Sequence, residues 1–209
     1  QRDLLGELRS EIQRSGIHKI VVLDDDPTGT QTVANVPVYT GWDEESIKDI
    51  FANEYLLNFI LTNSRAFGEE KTVQVHQEIA LNLKKSAAVT EKKYLLISRA
   101  DSTLRGHYPT ETEVLRRELE KDNTICFDGE VICPYFAEGG RYTIDNVHYV
   151  RYGSELIPAA ETEFAKDETF GYHESDLKKY IHEKTEGRFK EDEVVDISLE
   201  ELSDIRINE

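Results

Sequence analysis

Methionine is absent from the 209 residues, which open on Gln1, so the chain is expected not to begin where translation did. Cysteine is nearly absent. Cys126 and Cys133 are the only two, with no CxxC and no histidines at ligand spacing, which argues against a disulfide framework and a zinc module and makes a reducing cytoplasm the expected setting. No apolar run approaches the roughly 18 residues that a membrane helix needs, and residues 1–15 are too charged for a secretory leader. Basic charge is short as well: 25 Lys and Arg face 42 Asp and Glu, a net charge of −17. No nucleic acid and no membrane is therefore expected as a partner, and a small anionic ligand would need a local basic pocket. Glycine-rich phosphate loops are lacking too, since neither GxxxxGK nor GxGxxG occurs.

What is present is a polar but globular composition, 38% apolar and 32% charged, with the apolar residues in periodic blocks. The length suits one large domain or two small ones. The organising stretch is residues 19–31, KIVVLDDDPTGTQ, in which an apolar run meets Asp24, Asp25 and Asp26 and then a turn. Three adjacent carboxylates repel one another and need a cation or a hydrogen-bonding ligand nearby. Around this stretch the pattern predicts helices over residues 3–15, 44–51, 69–86 and 109–121, with Val73, His76, Ile79, Ala80 and Leu83 as the stripe of the longest. Strands are expected over 18–23, 56–61, 94–97 and 131–133, with a short extended segment at 33–40 that Pro37 places at an edge. This alternation predicts a three-layer α/β/α fold with a mostly parallel, open, Rossmann-like sheet. After Thr143 the pattern loosens. A short strand at 146–150, a helix at 176–184, a strand-like stretch at 193–197 and a helix start at 199–205 are the readings there.

Four apolar runs end in unusual polar turns, DDDPTGT, TNSR, SRADSTLRGH and CPYFAEGGR. In an open parallel sheet the ligand crevice lies beyond the carboxyl ends of the strands, so these turns are expected to share one rim. Their chemistry is coherent. Arg65, Arg99 and Arg105 can fork onto a carboxylate or phosphate, while Asp101, Ser102 and Thr103 can orient hydroxyls. Asp25 and Asp26 complete the set of candidate ligand contacts, with Asp26 placed to accept a proton from a substrate hydroxyl. The plain alternative makes Arg99 and Arg105 structural partners of Asp101 or of the acidic triplet. His76 reads as a core or boundary residue, His107 as a ligand contact or a loop cap, and no histidine has a partner at metal spacing, so no metal site is expected in these residues.

LDDDPTGTQ, TNSRA, SRADSTLRGHYP and ICPYFAEGGRYT, in that order, resemble the N-terminal domain of the four-carbon acid sugar kinases. The likeness runs from about His18 to about Arg188 and takes in ETEFAKDETFGY. It implies ATP-dependent phosphorylation of a terminal hydroxyl on a threonate- or erythronate-like acid. The whole chain, residues 1–209, would be the sugar-acid-binding domain. Its partner would be a C-terminal nucleotide-binding domain that supplies ATP and Mg²⁺ and is absent from these residues. Carried over by position, the resemblance gives Asp26 as base and substrate contact and Arg65, Arg99, Asp101, Ser102 and Thr103 as substrate contacts. A homodimer is a further open expectation.

One rival comes from the same opening stretch. Asp24 to Thr28 fits DxDxT after an apolar strand, which is similar to the first motif of haloacid-dehalogenase-type phosphatases, with Asp24 as nucleophile, Asp26 as acid and base, and Mg²⁺ between them. A non-catalytic sugar-acid binding module is the third reading.

Overall fold

The structure is a computed structural model and describes residues 4–122 and 125–204. The described residues form two compact units, the first drawn from Gln1–Ala100 and Thr110–Gly129, the second from Asp101–Pro109 and Glu130–Glu209.

The first unit is the parallel α/β sheet that the alternation predicts, and its class is the expected three-layer α/β/α. Its strands are β1 (Ile17–Asp24), β2 (Val38–Tyr39), β3 (Leu57–Leu61) and β4 (Lys93–Arg99). They lie in the order β2-β3-β1-β4 with every pairing parallel. Pro37 cannot donate to a ladder, and β2 is accordingly a two-residue edge strand. The helices are α1 (Leu4–Ser15), α2 (Glu44–Ala52), α3 (Glu69–Thr90) and α4 (Thr110–Glu120).

α2, α3 and α4 cover one face of the sheet. Val21, Leu23 and Ile60 from the strands meet Ile47, Ile50, Phe51, Val75, Ile79, Leu83, Leu115 and Leu119 from the helices, all buried. Each such side chain contributes about 1.5–3 kcal/mol by leaving water. α1 contacts β1 outside that core. The stripe of α3 passes through Thr72, Val75, His76, Ile79 and Leu83, so Val75 takes the buried position expected for Val73. A helix advances 3.6 residues per turn, and from Ile79 the residue four back is Val75. α2 starts where Asp43 caps it, its carboxylate accepting from the backbone N–H of Glu45 and Ser46 at 3.0 and 3.1 Å. Buried Lys19 donates to the Asn53 carbonyl at 2.6 Å, Asn53 Oδ1 at 2.9 Å and the Tyr55 carbonyl at 2.7 Å, so its three protons tie β1 to the loop before β3. Burial lowers its pKa.

The second unit is built on an antiparallel meander, β5 (Arg141–Ile144), β6 (Val147–Tyr152) and β7 (Glu155–Pro158). The β5–β6 turn places Asp145 and Asn146 at φ +48° and +68°. Asn and Asp accept this left-handed backbone at the least cost after glycine. α5 (Leu177–Lys184) is capped by Asp176, which accepts from Lys178 N at 2.9 Å. Leu104, Val150, Ala159, Ala165, Tyr172, Tyr180 and Ile181 form the core. α6 (Leu199–Asp204) follows a capping box in which Ser198 N donates to Glu201 Oε2 at 2.7 Å and Glu201 N to Ser198 Oγ at 3.1 Å.

Two expected strands do not form. Residues 131–133 are irregular and Val131 is 91% exposed. An apolar run of three residues closed by Pro134, which has no N–H, is too short to hold a face against a sheet. Residues 193–197 follow a 3-10 turn, Glu191–Glu193, and leave Val195 and Ile197 exposed. No described helix is long and apolar enough to cross a membrane.

Candidate functional site

Because β3, β1 and β4 are parallel neighbours, their carboxyl ends lie on one edge of the first unit. In register, Asp24 stands beside Leu61 on one side and Arg99 on the other. The ladder continues past the strands: Thr62 N donates to the Asp24 carbonyl at 2.9 Å, Asp25 N to the Arg99 carbonyl at 3.2 Å and Arg65 N to the Asp25 carbonyl at 3.2 Å. The backbone thereby brings Asp24, Asp25, Asp26, Arg65 and Arg99 together, as the shared rim anticipates for the first two turns and for Arg99.

The three carboxylates have three different environments. Asp24 is 1% exposed, with one oxygen accepting from Arg99 Nη1 at 3.1 Å and Oδ2 lacking any hydrogen-bond partner. Gly29 packs against this carboxylate so closely that a Cβ there would stand 1.8 Å from Oδ2. Asp25 is 2% exposed and receives a two-pronged grip from Arg65, Nε to Oδ2 at 2.9 Å and Nη2 to Oδ1 at 2.5 Å. Burial raises the pKa of both, outweighing Arg99 at Asp24 and Arg65 at Asp25, and brings Asp25 to about 6. Only Asp26 is open, its side chain 29% exposed. Its Oδ1 accepts from Thr28 N at 2.9 Å and Thr28 Oγ1 at 2.5 Å, while Oδ2 faces Arg65 Nη1 at 3.7 Å.

The turn after β3 is anchored from beneath. Ser64 Oγ donates to Glu111 Oε1 at 2.6 Å, and Ser64 and Glu111 are both buried. His76 is 1% exposed, its Nδ1 bonded to the Thr72 carbonyl at 2.8 Å and its Nε2 3.8 Å from Glu111. His76 is thus the core residue that its place on the α3 stripe suggests. Glu111 escaped the sequence reading. Its one signal is position, an acid in the first turn of α4 two residues past Pro109.

The second unit holds the remaining candidates as a cluster of their own. Asp101 Oδ2 accepts from Arg105 Nε at 2.7 Å and also from the Thr103 hydroxyl. Arg105 lies over the Phe164 ring at 5.1 Å and faces Asp167 Oδ2 at 3.7 Å. Ser102 is partly exposed and Thr103 buried. Both Arg99 and Arg105 therefore make the ion pairs that the plain alternative describes, and both side chains stay partly exposed. His107 meets Phe170 edge to face at 4.8 Å. Among the described residues no three His, Cys, Asp or Glu side chains are grouped to hold a metal ion.

A buried, arginine-gripped acid beside an open one is a polar cradle with charge of both signs, suited to a ligand that carries an acid group and hydroxyls. The family model for a sugar-binding N-terminal domain matches residues 20–207. The chain belongs to that family. The resemblance read from the four polar turns is borne out, and both clusters lie inside the matched span of this sugar-binding domain. No curated protein matches the chain.

Proposed function

We propose that this sugar-binding domain is the acid-binding half of an ATP-dependent kinase that phosphorylates a terminal hydroxyl of a four-carbon, threonate- or erythronate-like acid. The observation that carries the reading is the division of labour in the acidic triplet: Asp24 and Asp25 are buried on arginines, and Asp26 alone is open, 3.7 Å from Arg65. In this reading Arg65 and Arg99 fix the sugar carboxylate. Asp26 accepts the proton of the hydroxyl that attacks phosphorus. The hydroxyl-rich turn of the second unit, Asp101 to Arg105, has the donors and acceptors that sugar hydroxyls need. Catalysis by these residues is positioning and charge stabilisation. Neither a metal-grouped set of side chains nor a glycine-rich phosphate loop is found among the described residues, so no step on Mg²⁺ or the triphosphate is assigned to them. Those belong, in this reading, to a C-terminal nucleotide-binding domain.

Calorimetric titration of the chain with threonate, erythronate and longer aldonates tests this. Binding of at least one four-carbon acid without ATP turnover is expected, whereas robust kinase activity by this chain alone would overturn the division between domains. The phosphatase reading requires Asp24 to reach a phosphate, and a 1% exposed carboxylate packed on Gly29 gives it no approach. Hydrolysis of p-nitrophenyl phosphate with Mg²⁺ is accordingly expected to be nil.

A further inference from the structure

Three consecutive carbonyls in the turn that follows β4 each meet one buried side-chain donor. His148 Nε2 reaches the Ser102 carbonyl at 2.8 Å, Tyr172 Oη donates to the Thr103 carbonyl at 2.8 Å, and Tyr180 Oη to the Leu104 carbonyl at 2.9 Å. The donors come from separate places in the second unit, from β6, from the loop ahead of α5 and from α5. All are nearly closed to solvent, at 0%, 2% and 4% exposure.

Loop carbonyls ordinarily face water, and turning three in a row inward is costly unless each is paired. A carbonyl only accepts, so Nε2 of His148 must carry a proton, and burial keeps the ring neutral by lowering its pKa. Burial likewise pushes Tyr172 and Tyr180 above the ordinary phenol range, so both remain donors. The rings brace one another, Tyr180 edge to face with Tyr172 at 5.6 Å and stacked on Tyr108 at 5.9 Å. The turn they hold is strained, with Leu104 at φ +64° and its side chain buried in the same core. From within, the turn is closed by Asp101 N to the Arg105 carbonyl at 3.3 Å and Leu104 N to the Asp101 carbonyl at 3.1 Å, together with the bonds that the Asp101 carboxylate accepts from Thr103 and Arg105.

We propose that His148, Tyr172 and Tyr180 are positioning residues which clamp the carbonyls of Ser102, Thr103 and Leu104 and so set the shape in which Asp101, Ser102 and Arg105 meet a sugar acid, with buried Thr103 bracing Asp101 from within. This rests on the sugar-acid reading given above. The clamp converts a strained loop, which would sample many backbone states, into one conformer before the ligand arrives, and ligand binding then forgoes less entropy.

Tyr172→Phe and Tyr180→Phe each remove one donor and keep the ring. Tyr152→Phe is the control, because its hydroxyl donates to Glu163 at 2.6 Å elsewhere in the same unit. Titration with threonate and erythronate should show affinity weakened roughly three- to tenfold in the first two variants and unchanged in the control. Amide hydrogen exchange should rise over residues 101–106 while β5, β6 and β7 keep their protection, since a role in core packing alone would loosen the whole unit. Wild-type affinity in both Tyr172→Phe and Tyr180→Phe, or exchange that rises throughout the unit, overturns the clamp. If the wild-type chain binds neither acid, the sugar-acid reading falls instead.

Discussion

Arg65 holds Asp25 by two near-parallel hydrogen bonds, Nε to Oδ2 at 2.9 Å and Nη2 to Oδ1 at 2.5 Å, with the carboxylate 2% exposed. A guanidinium fork matches a carboxylate in a way that an ammonium cannot. Removing one partner of a buried pair strands the other charge, which typically costs about 3–5 kcal/mol. Arg65→Ala should therefore destabilise the first unit by about that much at pH 7.5 in urea unfolding. At pH 5 the loss should shrink, because Asp25 escapes its stranded charge by taking a proton. Equal losses at the two pH values would show that Asp25 is not the stranded group.

The pH dependence of wild-type stability has a sign opposite to that of most carboxylates. Asp25 titrates at 3.8 when unfolded and at about 6 in the fold, chiefly through burial. Between those values the folded state holds more protons, so stability falls as pH rises from about 4 to 6, by up to about 3 kcal/mol, and levels off above. Asp24 acts in the same direction. His148 acts oppositely: its pKa is lowered from 6.5 in the fold, so its share of stability is lost as pH falls below about 6.5. Asp25→Asn isolates the first effect. Urea unfolding at pH 4.5, 5.5 and 7 should show a difference between wild type and variant that moves against wild type as pH rises, and parallel curves would sink the assignment.

Gly29 is required for space. Its Cα packs on Asp24, and a Cβ would fall 1.8 Å from Oδ2 of a carboxylate that Arg99 and the strand pairing hold in place. Gly29→Ala should cost about 1–3 kcal/mol, the usual range for overpacking, and displace the turn that carries Asp26. Asp24→Ala should relieve it, so the double variant is expected to lose less than the sum of the two single losses. Additive losses in thermal unfolding would show that the two residues do not collide.

The parallel sheet was legible because long apolar runs alternated with strongly periodic helices, and the acidic triplet and its arginines sat where those runs stopped. Less visible were contacts that depend on burial. Nothing in DDDPTG distinguishes the closed Asp24 from the open Asp26, since only the packing of Gly29 and Thr28 separates them. Of the meander only the middle strand was read, at 146–150, because β5 and β7 are four residues long and bounded by turns such as Asp145-Asn146, whose I′ character stands out only once the flanking strands are recognised. Tyr172 and Tyr180 carry no signal of their own in the sequence, and their hydroxyls gain meaning only from carbonyls some 70 residues away. Residues 131–133 erred the other way, an apolar triplet read as a strand with no partner to pair with.

Glu111 links the anchoring of the Arg65 turn to the charge on Asp25. It accepts from Ser64 at 2.6 Å, and its charge is one of the causes that raise Asp25. The two effects separate by substitution. Glu111→Gln keeps an oxygen for the Ser64 hydroxyl but removes the charge, so the falling part of the stability curve should end at a lower pH with acid binding little changed. Glu111→Ala also removes the acceptor and leaves the buried Ser64 hydroxyl only Thr62 Oγ1, 3.0 Å away, which costs about 1–3 kcal/mol. The turn that starts Arg65 toward Asp25 then loses its support from α4, and threonate or erythronate should bind more weakly to the Ala variant than to the Gln variant. If both variants bind equally well, Ser64 and Glu111 do not position Arg65.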